Sequence, residues 1–137
     1  MIANRFEDLE IWKDAREISK SIFVITNFDD FNTDYRFKSQ IRASSGSVMD
    51  NIAEGFERGG NKEFIQFLFI AKASLGECRS QLYRAIDYNY INKEEFDLQF
   101  EKVIQLSRKI YKFIEYLQKS DLKGTKYHHS TTLLRKN

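Results

Sequence analysis

Apolar residues recur along this chain at spacings of three and four, and polar turn residues interrupt the rhythm at three places, so the chain divides into four long segments of helical period. In the first segment Leu9, Trp12, Ala15, Ile18, Ile22 and Ile25 stack on one face, and Asp29 to Thr33 supplies a polar turn. Asp34 is placed to cap the second segment, whose stripe is Phe37, Ile41, Val48 and Ile52 and whose end is signalled by Gly59 and Gly60. Asn61 is expected to cap the third, with Phe64, Leu68, Ala71, Leu75, Cys78, Leu82 and Ala85 on its stripe. After Asn89 to Asn92, Asn92 and Glu95 resemble a capping box, and Phe96, Phe100, Val103, Ser107, Ile110, Ile114 and Leu117 follow as the clearest heptad in the chain. Four such stripes joined by short loops predict an all-α protein, an antiparallel up-down-up-down four-helix bundle with helices over about residues 6–28, 35–58, 62–89 and 93–120. Gly124 onward lacks a period, so 121–137 reads as a mobile basic tail after a single domain at 1–120.

Polar residues also keep helical time. Ser44, Ser47, Asn51, Glu54 and Arg58 form a line on the second helix, and Gln66, Ser74, Glu77, Gln81 and Arg84 form a similar one on the third. On periodicity alone two solvated faces account for both lines. Yet Ser44, Ser45, Gly46, Ser47 and Asn51 are poor helix formers, and small residues let helices approach closely, so the same line suits a helix or subunit contact.

With 137 residues the chain can bury a core without staples, and 42% hydrophobic with 31% charged residues is the composition of an ordinary folded protein. Cys78 is the sole cysteine, which rules out an intramolecular disulfide and fits a reducing, cytoplasmic setting. No segment approaches the ~20 apolar residues of a membrane span, and Met1 to Glu10 is too acidic for a secretory leader. The net charge of +2 is unevenly spread: residues 1–34 hold eight acids and four bases, whereas 121–137 holds four bases and one acid. Such polarity suits head-to-tail contacts or a basic surface created by assembly.

Catalytic constellations are hard to find. The two histidines, His128 and His129, both fall in the expected tail, so the Glu-x-x-His pairs of a di-iron bundle cannot be assembled. Cys78 lies on an apolar stripe without a helical histidine beside it, which suits an inert buried thiol. Glu54 with Glu57, and Glu94 with Glu95, read as surface and cap charges, and Gly59-Gly60 follows a helix and not a strand, unlike a phosphate loop. The expectation is a protein that is no enzyme and holds no cofactor or metal.

The run Gln40-Ile41-Arg42, Ser47, Asn51-Ile52-Ala53-Glu54-Gly55, Arg58, Lys62-Glu63-Phe64 and Phe67-Leu68 resembles the signature of the bacterial proteins encoded in 23S rRNA intervening sequences. Ala71, Ala73-Ser74-Leu75 and Glu77 extend the similarity, and Phe6 to Lys13 with Ala15 resembles the family's opening segment, so about residues 6–91 are covered. The resemblance implies a four-helix bundle that forms a homopentamer without assigned enzymatic activity. That family is similar in turn to the accessory proteins of diversity-generating retroelements, which bind nucleic acid and the reverse transcriptase. This chain departs at Ala43, where members often have a second arginine, at Met49, often proline, and at Phe31-Asn32, often a Phe-Pro turn. The motif positions Ser47, Asn51, Glu54, Arg58, Ser74 and Glu77 are then expected to form a packed polar network that fixes helix register or a subunit contact.

Two functional readings follow. In the first, a homo-oligomer associates with RNA or DNA through a diffuse basic surface of Arg36, Lys38, Arg42, Lys72, Arg79, Lys109 and Lys112, repeated by symmetry. In the second, the assembly is a protein-interaction scaffold whose anchors are Tyr83, Tyr88, Tyr90, Tyr111 and Tyr116.

Overall fold

A computed structural model describes residues 3–127 and is helical from Phe6 onward. A 3-10 turn at Phe6–Asp8 precedes α1 (Glu10–Ile25), and a one-turn helix α2 (Asp29–Thr33) separates α1 from α3 (Tyr35–Glu57). The long helices α4 (Asn61–Asp87) and α5 (Lys93–Tyr127) complete the chain. Contacts between side chains fix the directions. Ser47 meets Ser74 and Ser44 meets Gln81, so α3 and α4 are antiparallel. Tyr83 meets Phe96 and Phe64 meets Phe113, so α4 and α5 are too. Lys109 reaches Asp14 and Lys102 reaches Ser21, which closes α5 back on α1, again antiparallel. The result is the expected up-down-up-down bundle, in which α3 and α5 run parallel at opposite corners.

The expected stripes form most of the core along α1, α3 and α4, where Ile18, Ile22, Ile41, Ile52, Leu68, Leu75 and Leu82 are all buried, but at the start of α1 Ile11 is buried while Trp12 stays half-buried against Phe6. On α5 the inward line is rotated from the expected heptad. Gln99 and Leu106 are buried while Phe100 and Ser107 stay half-buried, because Phe100 leans out against Tyr83. The Gln99 amide reaches back one turn to the Glu95 carboxylate, 2.8 Å away. That carboxylate is thereby turned away from the reciprocal leg of a capping box, although the Asn92 side chain does accept from Glu95 N at 2.8 Å.

Helix boundaries correct the sequence reading in three places. The first segment is no single helix over 6–28: Leu9 is extended, and α1 stops at Ile25 because the Thr26 hydroxyl turns back onto the Ile22 and Phe23 carbonyls. The turn at Asp29–Thr33 is itself helical, since burying Phe31 against Phe37 and Tyr90 (centroids 5.3 and 5.1 Å) pulls it onto the bundle end. Finally α5 continues to Tyr127, past the expected end at 120. A glycine at 124 costs a helix about 1 kcal/mol but, unlike proline, removes no hydrogen bond. The mobility expected of the remaining tail, 128–137, falls outside the described residues.

Helix ends otherwise follow local chemistry. Asp34 accepts from Phe37 N at 3.2 Å, as an N-cap should. Gly59, at φ 92°, takes the left-handed conformation that ends α3. Asn61 does not cap α4: Gly60 occupies that position, and Asn61 is buried as the first helical residue. Asn89, at φ 60°, ends α4 with Tyr90 N donating to the Ala85 carbonyl at 2.9 Å.

Gly55 sets the separation of α3 and α4, because a Cβ there would lie 2.6 Å from Phe67 Cβ and 3.0 Å from Phe64 Cδ1. Alanine in place of a mid-helix glycine ordinarily stabilises by about 0.5–1 kcal/mol. Gly55→Ala is expected to destabilise instead, by about 1–3 kcal/mol, as overpacking does. Gly76→Ala, with open space around it, is expected to stabilise. Urea unfolding of the two variants checks the opposite signs, and a Gly55→Ala midpoint at or above that of the unsubstituted chain would contradict the close approach.

Candidate assembly site

The two polar lines predicted on α3 and α4 face each other. Ser47 Oγ and Ser74 Oγ are 3.0 Å apart, and the Asn51 side-chain amide donates to Ser47 Oγ at 2.9 Å and to the Ser47 carbonyl at 2.8 Å. One turn before Ser47 on α3, and two turns after Ser74 on α4, the buried Ser44 hydroxyl meets the buried Gln81 side chain. Each such hydrogen bond contributes about 1 kcal/mol net, and more is lost if one buried partner is left alone. Gln81 was visible in the sequence as part of the α4 line, but nothing in the spacing marked it and Ser44 as the buried pair.

The expected network therefore divides. Ser47, Asn51 and Ser74 belong to the seam, whereas Glu54 and Arg58 form their own exposed ion pair at 2.8 Å, with the Arg58 guanidinium 4.9 Å from the Phe67 ring centre. Glu77 is exposed and lines the mouth of the seam. There an open groove of about 460 Å³ runs between the helices, walled by Gln40, Ala43, Ser47, Ser74, Glu77 and Ser80 among others. Beside it, Phe69 precedes Ala73, Gly76 and Ser80 on one line of α4, and Ile70 precedes Ser74, Glu77 and Gln81 on the next. Phe69 and Ile70 are about half exposed, two large apolar side chains beside a run of small ones. Neither was singled out from the sequence, because both lie off the core stripe.

The seven bases assigned to nucleic acid do not converge. The Arg42 guanidinium is spent on the end of α1, donating to Thr26 Oγ1 (2.8 Å), Asn27 Oδ1 (3.1 Å) and the Phe23 carbonyl (3.4 Å) while stacking 4.2 Å from the Phe23 ring centre. A cation at a helix C-terminus also opposes the negative end of its dipole. Lys109 bridges Glu10 (2.7 Å) and Asp14 (2.8 Å), whose hydrogen bonds and charges raise its pKa, and Lys109 lowers that of Glu10 in return. Lys38 bonds Asn32, and Lys72 lies 5.8 Å from the Tyr111 ring centre. Arg36, Arg79 and Lys112 are exposed on three different helices.

Of the five tyrosines named as anchors, Tyr83, Tyr88, Tyr111 and Tyr116 are about half exposed. Tyr90 is not: its ring packs on Phe31, and its hydroxyl donates to Asp34 Oδ2 at 2.8 Å, a bond that also raises its pKa. Cys78 is fully buried, and burial pushes its pKa up to about 12, which leaves no thiolate for nucleophilic or metal chemistry at neutral pH. Among the described residues no group of histidine, cysteine, aspartate and glutamate is placed to hold a metal, and no helix is long and apolar enough to cross a membrane.

Residues 7–125 match the family model described as 23S rRNA-intervening sequence protein. A solved structure from Bacteroides thetaiotaomicron, described as a protein with unknown function from the S23 ribosomal protein family, is similar with a TM-score of 0.69 at 20% identity. The match covers 76% of this chain and 97% of that one, and at this identity the likeness is one of fold. No curated protein matches the chain.

Two outcomes follow from the geometry. Arg42→Gln is expected to lower stability by about 1–3 kcal/mol, because the end of α1 loses charge-assisted bonds; thermal unfolding within error of the unsubstituted chain would show that the clamp holds nothing. Cys78 is expected to resist iodoacetamide at pH 7 in the folded protein and to react once urea unfolds it. Mass spectrometry reads both states, and rapid native labelling would mean that the thiol is accessible.

Proposed function

Since the chain belongs to the 23S rRNA-intervening sequence protein family, whose function is unknown, we propose that it acts as a non-enzymatic homo-oligomer, with five copies as the number its family resemblance implies. The observation that carries this reading is the outer face of α3 and α4, where small residues, an open polar groove and the exposed Phe69 and Ile70 lie side by side. Small side chains let another backbone come close, and large apolar ones beside them gain by losing water. A solvated helix face has no use for that combination. The buried, protonated Cys78 supports the non-enzymatic half of the reading, as a lone thiol withdrawn from chemistry.

A scaffold for protein contacts is favoured over direct nucleic-acid binding. Phosphate binding draws its energy from several free cations acting together. Here Lys109 is already neutralised by Glu10 and Asp14, the Arg42 guanidinium is committed to uncharged oxygens at the end of α1, and the other assigned bases are spread over three helices. Half-exposed Tyr83, Tyr111 and Tyr116 offer a second protein amphipathic anchors away from the groove between α3 and α4.

Light scattering coupled to size exclusion tests both halves. The expected mass is an integral multiple of the 16.3 kDa chain, five-fold on the family number. The same fractions are expected to bind neither RNA nor DNA at moderate salt. A one-chain mass at micromolar concentration would overturn the assembly reading, and tight, salt-sensitive nucleic-acid binding would overturn the preference for a scaffold.

A further inference from the structure

The outward lines of α3 and α5 carry opposite charge gradients. On α3, Arg36 comes first and Asp50 and Glu54 come last, with the small Ala43, Gly46 and Ser47 between them. This order opposes the α3 dipole, which favours acids at the N-terminus and bases at the C-terminus, so helix stability does not explain it. On α5 the order is inverted, with Glu94, Asp97 and Glu101 first and Arg108, Lys112 and Lys119 last. All six of Arg36, Asp50, Glu54, Glu94, Arg108 and Lys112 are exposed. Among the described residues only Glu54 of these six has an ion pair within the subunit, with Arg58.

Heights along the bundle match as well. α3 and α5 both run antiparallel to α4 and hence parallel to each other. Following the cross-contacts through α4 places Arg36 level with Glu94, Asp50 with Arg108 and Glu54 with Lys112, to within about a turn. Ser47, at the groove, falls level with Gln105. Glu57 falls level with Glu115, a like pair, but lies within about a turn of Lys119.

We propose that α3 of one copy packs along α5 of the next, side by side and parallel, with Arg36 facing Glu94, Asp50 facing Arg108 and Glu54 facing Lys112. The inference rests on the assembly reading and specifies its contact. Because the charges complement each other without a shift along the axis, neighbours are related by rotation alone. This head-to-tail contact closes into a ring, whereas a step along the axis would give an open helix. Complementary charge sets which surfaces meet and in what register, while the small residues of α3 permit the approach.

Charge reversal tests it. Asp50→Lys with Glu54→Lys makes the α3 face basic, and Arg108→Glu with Lys112→Glu makes the α5 face acidic. Either pair alone sets like charges together and is expected to reduce the light-scattering mass to that of one chain, with circular dichroism unchanged. All four substitutions in one chain restore opposite charges at every contact and are expected to recover the assembled mass. That recovery also excludes misfolding as the cause of the losses. If the unsubstituted protein is assembled but either pair leaves the mass intact, or the fourfold variant stays dissociated, the α3–α5 contact is wrong while assembly stands. A two-fold contact of α5 with itself would give that second result. If the unsubstituted protein is a single chain, it is the assembly reading that fails.

Discussion

The close approach of α3 and α4 is the constraint on which the rest of this molecule depends. Gly55 leaves no room for a methyl group beside Phe64 and Phe67, so the two helices touch near their connection. From there towards the far end they are spaced by serines, with Ser47, Ser74 and Ser44 bridging in place of apolar side chains. Hydrogen bonds have direction where apolar contacts do not, so the seam fixes how far α4 slides along α3. That register then places α5 against α4 and the charges of α5 at their height relative to α3. A slip of one turn would leave the apolar stripes tolerably packed but would break each serine pair.

Much of the architecture was legible because the core obeys one rule. Apolar side chains at three-and-four spacing identified most of the buried faces of α1, α3 and α4, although Trp12 stays half-buried while Ile11 and Phe56, off the expected stripes, are buried. Asp34, Gly59 and Asn92 marked helix ends through local hydrogen bonding or backbone conformation. Errors arose where a tertiary contact outweighed a local preference. The turn at Asp29–Thr33 became helical because Phe31 found a pocket between Phe37 and Tyr90, and the Phe100 ring rotated outward to Tyr83 so that Gln99 took the inward position. Asn61, a good cap by residue type, was displaced into the interior by Gly60.

The candidate site was legible only in part. Ser47, Asn51 and Ser74 stood out as small polar residues in helical time, and the structure joins them. Arg42 looked like a surface cation, and only the folded chain shows it holding the end of α1, since Thr26, Asn27 and Phe23 are far from it in sequence. Lys109 was likewise paired with Glu10 and Asp14 across almost the whole chain. Linear charge counts cannot tell an occupied cation from a free one. The charge order along α3 and α5 was not read from the sequence, and it becomes informative only once the two helices are known to run parallel.

An even number of long helices brings the chain back to the end of the bundle from which it started. Ala3 and Tyr127, the first and last described residues, thus lie at the same end, while the opposite end holds the Thr26–Asp34 and Tyr88–Asn92 connections, the first of them carrying Asp29, Asp30 and Asp34. The two ends are therefore chemically unlike, one a place of entry and exit, the other a closed acidic cap. Whatever approaches the second end meets turns and carboxylates, whereas whatever approaches the first meets the chain at Ala3 and Tyr127, so the topology gives the bundle a polarity that its four similar helices would not.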